Sequence, residues 1–263
     1  EDSKMEKTFS IAREKAPNAF LIANMGGAQL VQKYGVKEAR KAVEMIKANA
    51  LAVHLNPLQE TSQPEGETSY KGLIDKIREI TQALEVPVVV KETGAGISAE
   101  DARKLEAAGV AAIDVSGVGG TSWAAVEYHR AKRQGDQFHQ ALGETFWDWG
   151  IPTVASLVET KQSVHTPIIA SGGIRSGLDV AKAIVLGASL AGTANPVLDP
   201  ALHGASRVEE KLCLIIEELR TAMFLVGADS IPKLAKIPAI VTGKMAEWLI
   251  MRGFNPQLYA RRS

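Results

Sequence analysis

Short runs of continuous apolar residues alternate along this chain with longer stretches in which apolar residues recur every three or four positions. The runs fall at residues 19–23, 50–53, 86–90, 111–115, 167–170 and 188–191, and each ends in small or polar residues. Short apolar runs with Val, Ile and Ala predict parallel strands covered on both faces. The intervening stretches predict helices over residues 4–15, 36–49, 72–83, 99–108 and 178–186. Ala39, Ala42, Val43 and Ile46 share one side of the second, and Leu73, Ile77 and Ile80 one side of the third. Ser98 is a good N-cap, and Gly109 and Gly187 are good stops. Leu212, Ile215, Ile216, Leu219, Ala222, Met223 and Val226 predict a buried stripe on a later helix, with Cys213 inside it. Residues 123–166 read as an insertion, with a polar turn at 133–136 and a helix near 154–164.

Six βα units in succession predict a parallel sheet with right-handed crossovers. A doubly wound sheet opens on a strand and a glycine-rich turn, whereas this chain opens on a polar helix. Polar and small residues follow every strand and do not gather at one switch point. That distribution fits an (β/α)8 TIM barrel, whose active site draws on all the strand ends of one face. A barrel needs two strands more than the six seen, so the expectation is that the first two βα units are missing from this chain. The chain begins Glu1-Asp2-Ser3 with no Met, and residues 1–263 are read as a single barrel domain, incomplete at its N-terminus.

Composition narrows the function. Lys plus Arg and Asp plus Glu each number 30, for a formal net charge of zero, which removes the electrostatic footprint of a nucleic-acid binder. One cysteine, Cys213, excludes an intrachain disulfide and a multi-cysteine metal site. No apolar run approaches the roughly 18 residues of a membrane span, and no signal peptide is visible. The expectation is a cytosolic protein with a small-molecule ligand.

Two glycine-bearing loops suggest what that ligand carries. SGGIRSG (residues 171–177) follows the fifth run and AGTANP (191–196) the sixth. If two strands precede, these loops follow strands seven and eight, where barrels bind phosphate. Glycines admit the phosphate to the backbone, and exposed N–H groups at helix starts donate to it. A pair of tight turns is the other reading of either loop alone.

The paired loops resemble those of flavin mononucleotide-binding barrel enzymes. Within that group, HLNPLQE (54–60), KETGAGI (91–97) and DVSGVGGTSW (114–123), with Asn24 at the first strand end and the tail from Thr242 to Gly253, resemble type 2 isopentenyl diphosphate isomerases over nearly the whole chain. The resemblance implies an FMN-dependent enzyme that shifts a carbon–carbon double bond between isopentenyl and dimethylallyl diphosphate. Reduced flavin would supply the acid–base chemistry, Mg²⁺ would hold the diphosphate, and NADPH would serve only to reduce the flavin. It also implies a longer N-terminal part in family members and a homo-oligomer, a tetramer or octamer.

The resemblance assigns Gln59 to the neighbourhood of the double bond and Glu60 to the metal. His54 and Asn56, alternate residues on one strand end, are expected at the diphosphate or the alkene pocket. Lys91 would face the flavin ring, with Asn24, Ser116 and Thr121 as further flavin contacts. Gly172, Gly173, Ile174 and Arg175, with Ala194 and Asn195, would cradle the flavin phosphate through the backbone. Glu92 and Asp114 receive no role. Trp147 and Trp149 are expected to pack or to line an interface, and Trp248 to lie on an oligomer surface. Two other flavin chemistries fit less well. The loop after Ser116 holds neither the His nor the Arg of 2-hydroxy-acid oxidases, and Cys213 is not placed as a nucleophile. A non-catalytic flavin-binding barrel fragment is the third alternative.

Overall fold

The computed structural model describes residues 6–262. Six parallel strands form one sheet: β1 (Ile22–Gly26), β2 (Ala50–His54), β3 (Val88–Lys91), β4 (Ala112–Asp114), β5 (Ile168–Ala170) and β6 (Leu190–Ala191). They pair strictly in sequence order, the order of an (β/α)8 barrel; a doubly wound sheet reverses its order. Among the described residues β1 and β6 are the sheet's two edges. Register decides where function can sit. Gly26 pairs with His54, His54 with Lys91, and Lys91 with Asp114, so four consecutive strand tips end on one rim.

The inner strands are buried as their apolar runs demand, whereas at the two edges Ile22 of β1 and Leu190 of β6 are 42% and 62% exposed, because no strand covers them. Leu51, Val53, Val90 and Ile113 are inaccessible to solvent. They pack with Leu30, Ile77, Ile80 and Leu105 from the surrounding helices. A second cluster joins Val115, Leu157, Ile168 and Ala170 to Leu249 and Tyr259 near the C-terminus.

Several expectations need correction. The first strand begins at Ile22 rather than residue 19, because other partners take the preceding backbone. Arg13 donates to the carbonyls of Pro17 and Ala19, and Asn49 Oδ1 accepts from Leu21 N–H. Asn24 therefore lies inside β1. The first helix runs Glu6–Lys15; its expected start at Lys4 lies outside the described residues. Residues 123–166 hold three helices, Trp123–Gln134, Gln137–Thr145 and Thr153–Lys161, where one was expected. Gly135 at φ +75° ends the first, and Asp136 caps the second by accepting from His139 N–H at 3.1 Å.

The helix Ala205–Leu225 contains no buried residue. Leu219, Ala222 and Met223 rest on Ala181, Ile184 and Val185, but Leu212, Leu214, Ile216 and Cys213 are exposed. Periodicity identifies an apolar side; it does not say whether a neighbour covers it. Trp248 is half-buried. Its Nε1 donates at 2.8 Å to Glu159, whose side chain is wholly buried, and Arg252 joins Glu159 to Glu100. Among the described residues no helix is long and apolar enough to cross a membrane.

Candidate active site

The strand tips and the loops beyond them enclose a cavity of about 730 Å³. Asn24, His54, Gln59, Lys91, Ser116, Thr121, Gly172, Gly173, Ile174, Arg175, Ala194 and Asn195 all line it. Asn56 and Glu60 do not. They lie behind the wall at 4% and 5% exposure. Asn56 Nδ2 donates to Glu60 Oε1 at 3.0 Å and to Gln59 Oε1 at 3.3 Å. Strand alternation put Asn56 on the same side as His54, but β2 ends at His54 and Asn56 already caps the helix Pro57–Ser62. Asn56 thus holds Gln59 and Glu60 in place from behind.

His54 is fixed by Asn24, Nδ1 to Oδ1 at 3.0 Å. An amide oxygen only accepts, so Nδ1 carries the hydrogen and Nε2 is the acceptor of the neutral ring. Burial, reinforced by the Lys91 charge, lowers the His54 pKa and keeps that ring neutral. Lys91 Nζ donates to the Glu92 carbonyl at 2.8 Å. Among the described residues no carboxylate reaches ion-pair distance of it.

Glu92 and Asp114, unassigned from sequence, have distinct positions. One Glu92 oxygen accepts from the N–H groups of Thr93, Gly94 and Ala95 and so folds the loop after β3. Asp114 lines the cavity, and its Oδ1 accepts from Ser171 Oγ at 2.6 Å across the β4–β5 step. Burial raises both carboxyls above their ordinary range. Ser171 and Thr153 were also missed: Thr153 Oγ1 donates to the Gly172 carbonyl at 2.6 Å, and nothing in the local pattern marks it.

The loops after β4 and β5 touch backbone to backbone. A Cβ on Gly172 would fall 2.2 Å from the Gly117 carbonyl oxygen, and one on Gly173 2.2 Å from that of Gly119. The Arg175 guanidinium joins the two loops by donating to the carbonyls of Gly119 (2.8 Å) and Gly173 (3.1 Å). Its own backbone N–H is committed to Asp179, so its place is as a clamp, not as a backbone donor to phosphate.

The cavity suits a flavin nucleotide. The N–H groups of Gly173, Ile174, Thr193 and Ala194 donate to no acceptor among the described residues, and Ala194 opens the helix Asn195–His203. Free N–H groups at a helix start favour a phosphate. Lys91, at the tip of β3 in the same cavity, suits an anionic ring.

Glu60 suits a divalent cation in part. It accepts from Asn56, Gln63 and the Glu67 N–H, and no ion pair among the described residues neutralises it. One oxygen of Glu67 is buried without a hydrogen-bond partner. No group of three or more His, Cys, Asp or Glu side chains gathers to hold a metal among the described residues. A hydrated cation shared with ligand phosphates is the arrangement that a single carboxylate supports.

Residues 9–239 match the sequence profile of a family described as FMN-dependent dehydrogenase. An isopentenyl-diphosphate delta-isomerase of Methanothermobacter thermautotrophicus is 54% identical over 263 residues, all of this chain and 72% of that protein. One of Methanosarcina barkeri is 52% identical over 260 residues, 99% of this chain and 70% of that protein. Among solved structures, a lactate oxidase of Pediococcus acidilactici superposes with a TM-score of 0.60 at 18% identity, covering 86% of this chain and 62% of that one. A mandelate oxidase superposes with a TM-score of 0.53 at 25% identity, covering 76% and 58%.

Proposed function

The chain belongs to the FMN-dependent dehydrogenase family and, within it, to the isopentenyl-diphosphate delta-isomerases; on that premise we propose that its rim cavity interconverts isopentenyl and dimethylallyl diphosphate on reduced FMN and Mg²⁺. The observation that carries this reading is the convergence of Asn24, His54, Gln59, Lys91 and the Gly172–Ile174 loop on one cavity.

In this proposal the backbone N–H groups of Gly173, Ile174 and Ala194 hold the flavin phosphate. Lys91 offsets negative charge on the ring, and Asn24, Ser116 and Thr121 supply further polar contacts. Reduced FMN supplies the acid–base chemistry at carbon. Gln59 presents a neutral amide to the alkene, which can orient a developing tertiary cation without capturing it. His54, held neutral with Nδ1–H on Asn24, offers Nε2 to the bound diphosphate or to a water beside it. Glu60, just behind the cavity wall, would be the carboxylate that holds Mg²⁺, which would offset the charge of the diphosphate, and Asn56 keeps Glu60 and Gln59 in register. No net redox change results, so NADPH is needed only to reduce the flavin beforehand.

Residues 1–263 act in this proposal as one barrel domain of a cytoplasmic homo-oligomer, a tetramer or octamer. The exposed apolar side of the helix Ala205–Leu225 supports association, and light scattering measures it. The decisive experiment is anaerobic: protein, FMN, NADPH, Mg²⁺ and isopentenyl diphosphate, with product identified by NMR. Formation of dimethylallyl diphosphate is expected, together with deuterium incorporation from D₂O. Gln59→Ala should lower turnover at least about 100-fold, the low end for a general acid–base or orienting group, with FMN affinity nearly unchanged. Near-normal turnover of that variant refutes the role.

A further inference from the structure

A second cavity, of about 310 Å³, opens off the first and shares Gln59, Gly94, Thr121 and Trp123 with it. Its far walls are Leu58, Val126, Trp147 and Trp149. These walls are built rather than incidental. Ser122 Oγ donates to the Trp147 carbonyl at 2.6 Å, and Trp147 packs edge-on against Tyr128 with ring centres 5.5 Å apart. Ile151 N–H donates to the Ala95 carbonyl at 2.8 Å, which closes the indole-bearing loop onto the loop after β3.

The two cavities differ in charge. Lys91, Arg175, Asp114 and free N–H groups line the first. The second has no Lys or Arg in its wall; its ionisable side chains are Glu92, Asp148 and His129. An anionic headgroup therefore finds its lysine and free N–H donors in the first, while three indoles and aliphatic carbon in the second favour hydrocarbon. Gln59 stands at the junction.

We propose that this side cavity binds the tail of an allylic diphosphate longer than the five-carbon substrate, a ten-carbon prenyl chain, whose diphosphate stays in the catalytic cavity. The inference rests on the proposed substrate reading only for where the diphosphate sits. A five-carbon chain ends at Gln59, and a second isoprene unit continues past Trp123 between Trp147 and Trp149. Such a ligand occupies the catalytic cavity with its C2–C3 double bond where that of the five-carbon product lies, so it competes with the five-carbon substrate.

The test uses holoprotein with FMN and Mg²⁺, titrated calorimetrically with dimethylallyl diphosphate, geranyl diphosphate and inorganic pyrophosphate, alongside the isomerase assay. Burial of five further carbons against indole should make geranyl diphosphate bind at least about tenfold tighter than the five-carbon ligand. Trp149→Ala, at an exposed side chain outside the catalytic cavity, should remove most of that gain and leave five-carbon binding and turnover unchanged. Val126→Asp, which adds a charge to the wall, should do the same. Equal affinities for the two chain lengths overturn the proposal, as does a Trp149→Ala variant that weakens both ligands alike. Tail selectivity that depends on Trp149 in a protein without isomerase activity would leave the side cavity standing and remove the catalytic reading. Isomerisation with no chain-length selectivity would do the reverse.

Discussion

Gly173→Ala isolates the contribution of the contact between the two phosphate-side loops. Gly173 has φ +86°, and alanine in that left-handed region costs about 1–2 kcal/mol. The new Cβ would also stand 2.2 Å from the Gly119 oxygen and 2.4 Å from its carbonyl carbon. Both are backbone atoms, so the whole loop around Gly119 must retreat. Arg175 then loses its 2.8 Å bond to the Gly119 carbonyl, a charge-assisted bond worth about 1.5–3 kcal/mol. Strain and the lost bond together predict a destabilisation of about 2.5–5 kcal/mol, read as a lowered denaturation midpoint. They also predict at least a tenfold weaker FMN affinity, since the N–H groups of Gly173 and Ile174 move with the loop. Titrating apo-protein with FMN and following the quenching of flavin fluorescence measures the affinity. Gly227→Ala is the control, because Gly227 has φ +71° with no atom within 4 Å of the added Cβ. It should show strain alone, with unchanged flavin affinity. A Gly173→Ala protein that binds FMN within about twofold of wild type, or a control that loses affinity equally, would refute the reasoning.

Glu60→Gln keeps one of the two acceptor oxygens and removes the charge, so half-maximal activity should require at least about tenfold more Mg²⁺; an unmoved metal titration contradicts the assignment. Asp114 tests linkage. Burial raises its carboxyl, so the folded apo-protein holds a proton that the unfolded chain has already released. Its contribution to stability therefore falls as pH rises from the ordinary value of about 4 through the elevated one. Asp114→Asn should flatten the pH dependence of the denaturation midpoint in that window, and identical slopes for the two proteins would disprove it. Glu159→Ala removes the buried carboxylate that pairs with Trp248 and Arg252. Because Arg252 retains solvent access, the expected loss is about 2–3 kcal/mol, below the full cost of breaking a buried pair. A change under about 0.5 kcal/mol in chemical denaturation would show that the C-terminal helix is held by its apolar contacts instead.

The order of strands and the character of the rim were legible in the sequence for one physical reason. A parallel strand covered on both faces has to be apolar throughout, so the first polar or small residue after each run marks where the chain leaves the sheet. His54, Lys91 and Ser116 were found by that rule, and local cues such as the Ser98 cap set helix starts just as directly. Tertiary structure alone decided which of these residues face the cavity. Asn56 turned behind the wall because its strand ends two residues earlier, and Arg175 became a clamp because the carbonyls of distant Gly119 and nearby Gly173 converge on it. Trp248 found its hydrogen-bond partner in Glu159, 89 residues away in sequence. The stripe on the helix Ala205–Leu225 had the period of a core element, yet burial depends on a neighbour and period does not encode one. Short-range pattern fixes where backbone hydrogen bonds run; the partners of side chains from different units are set only when those units pack.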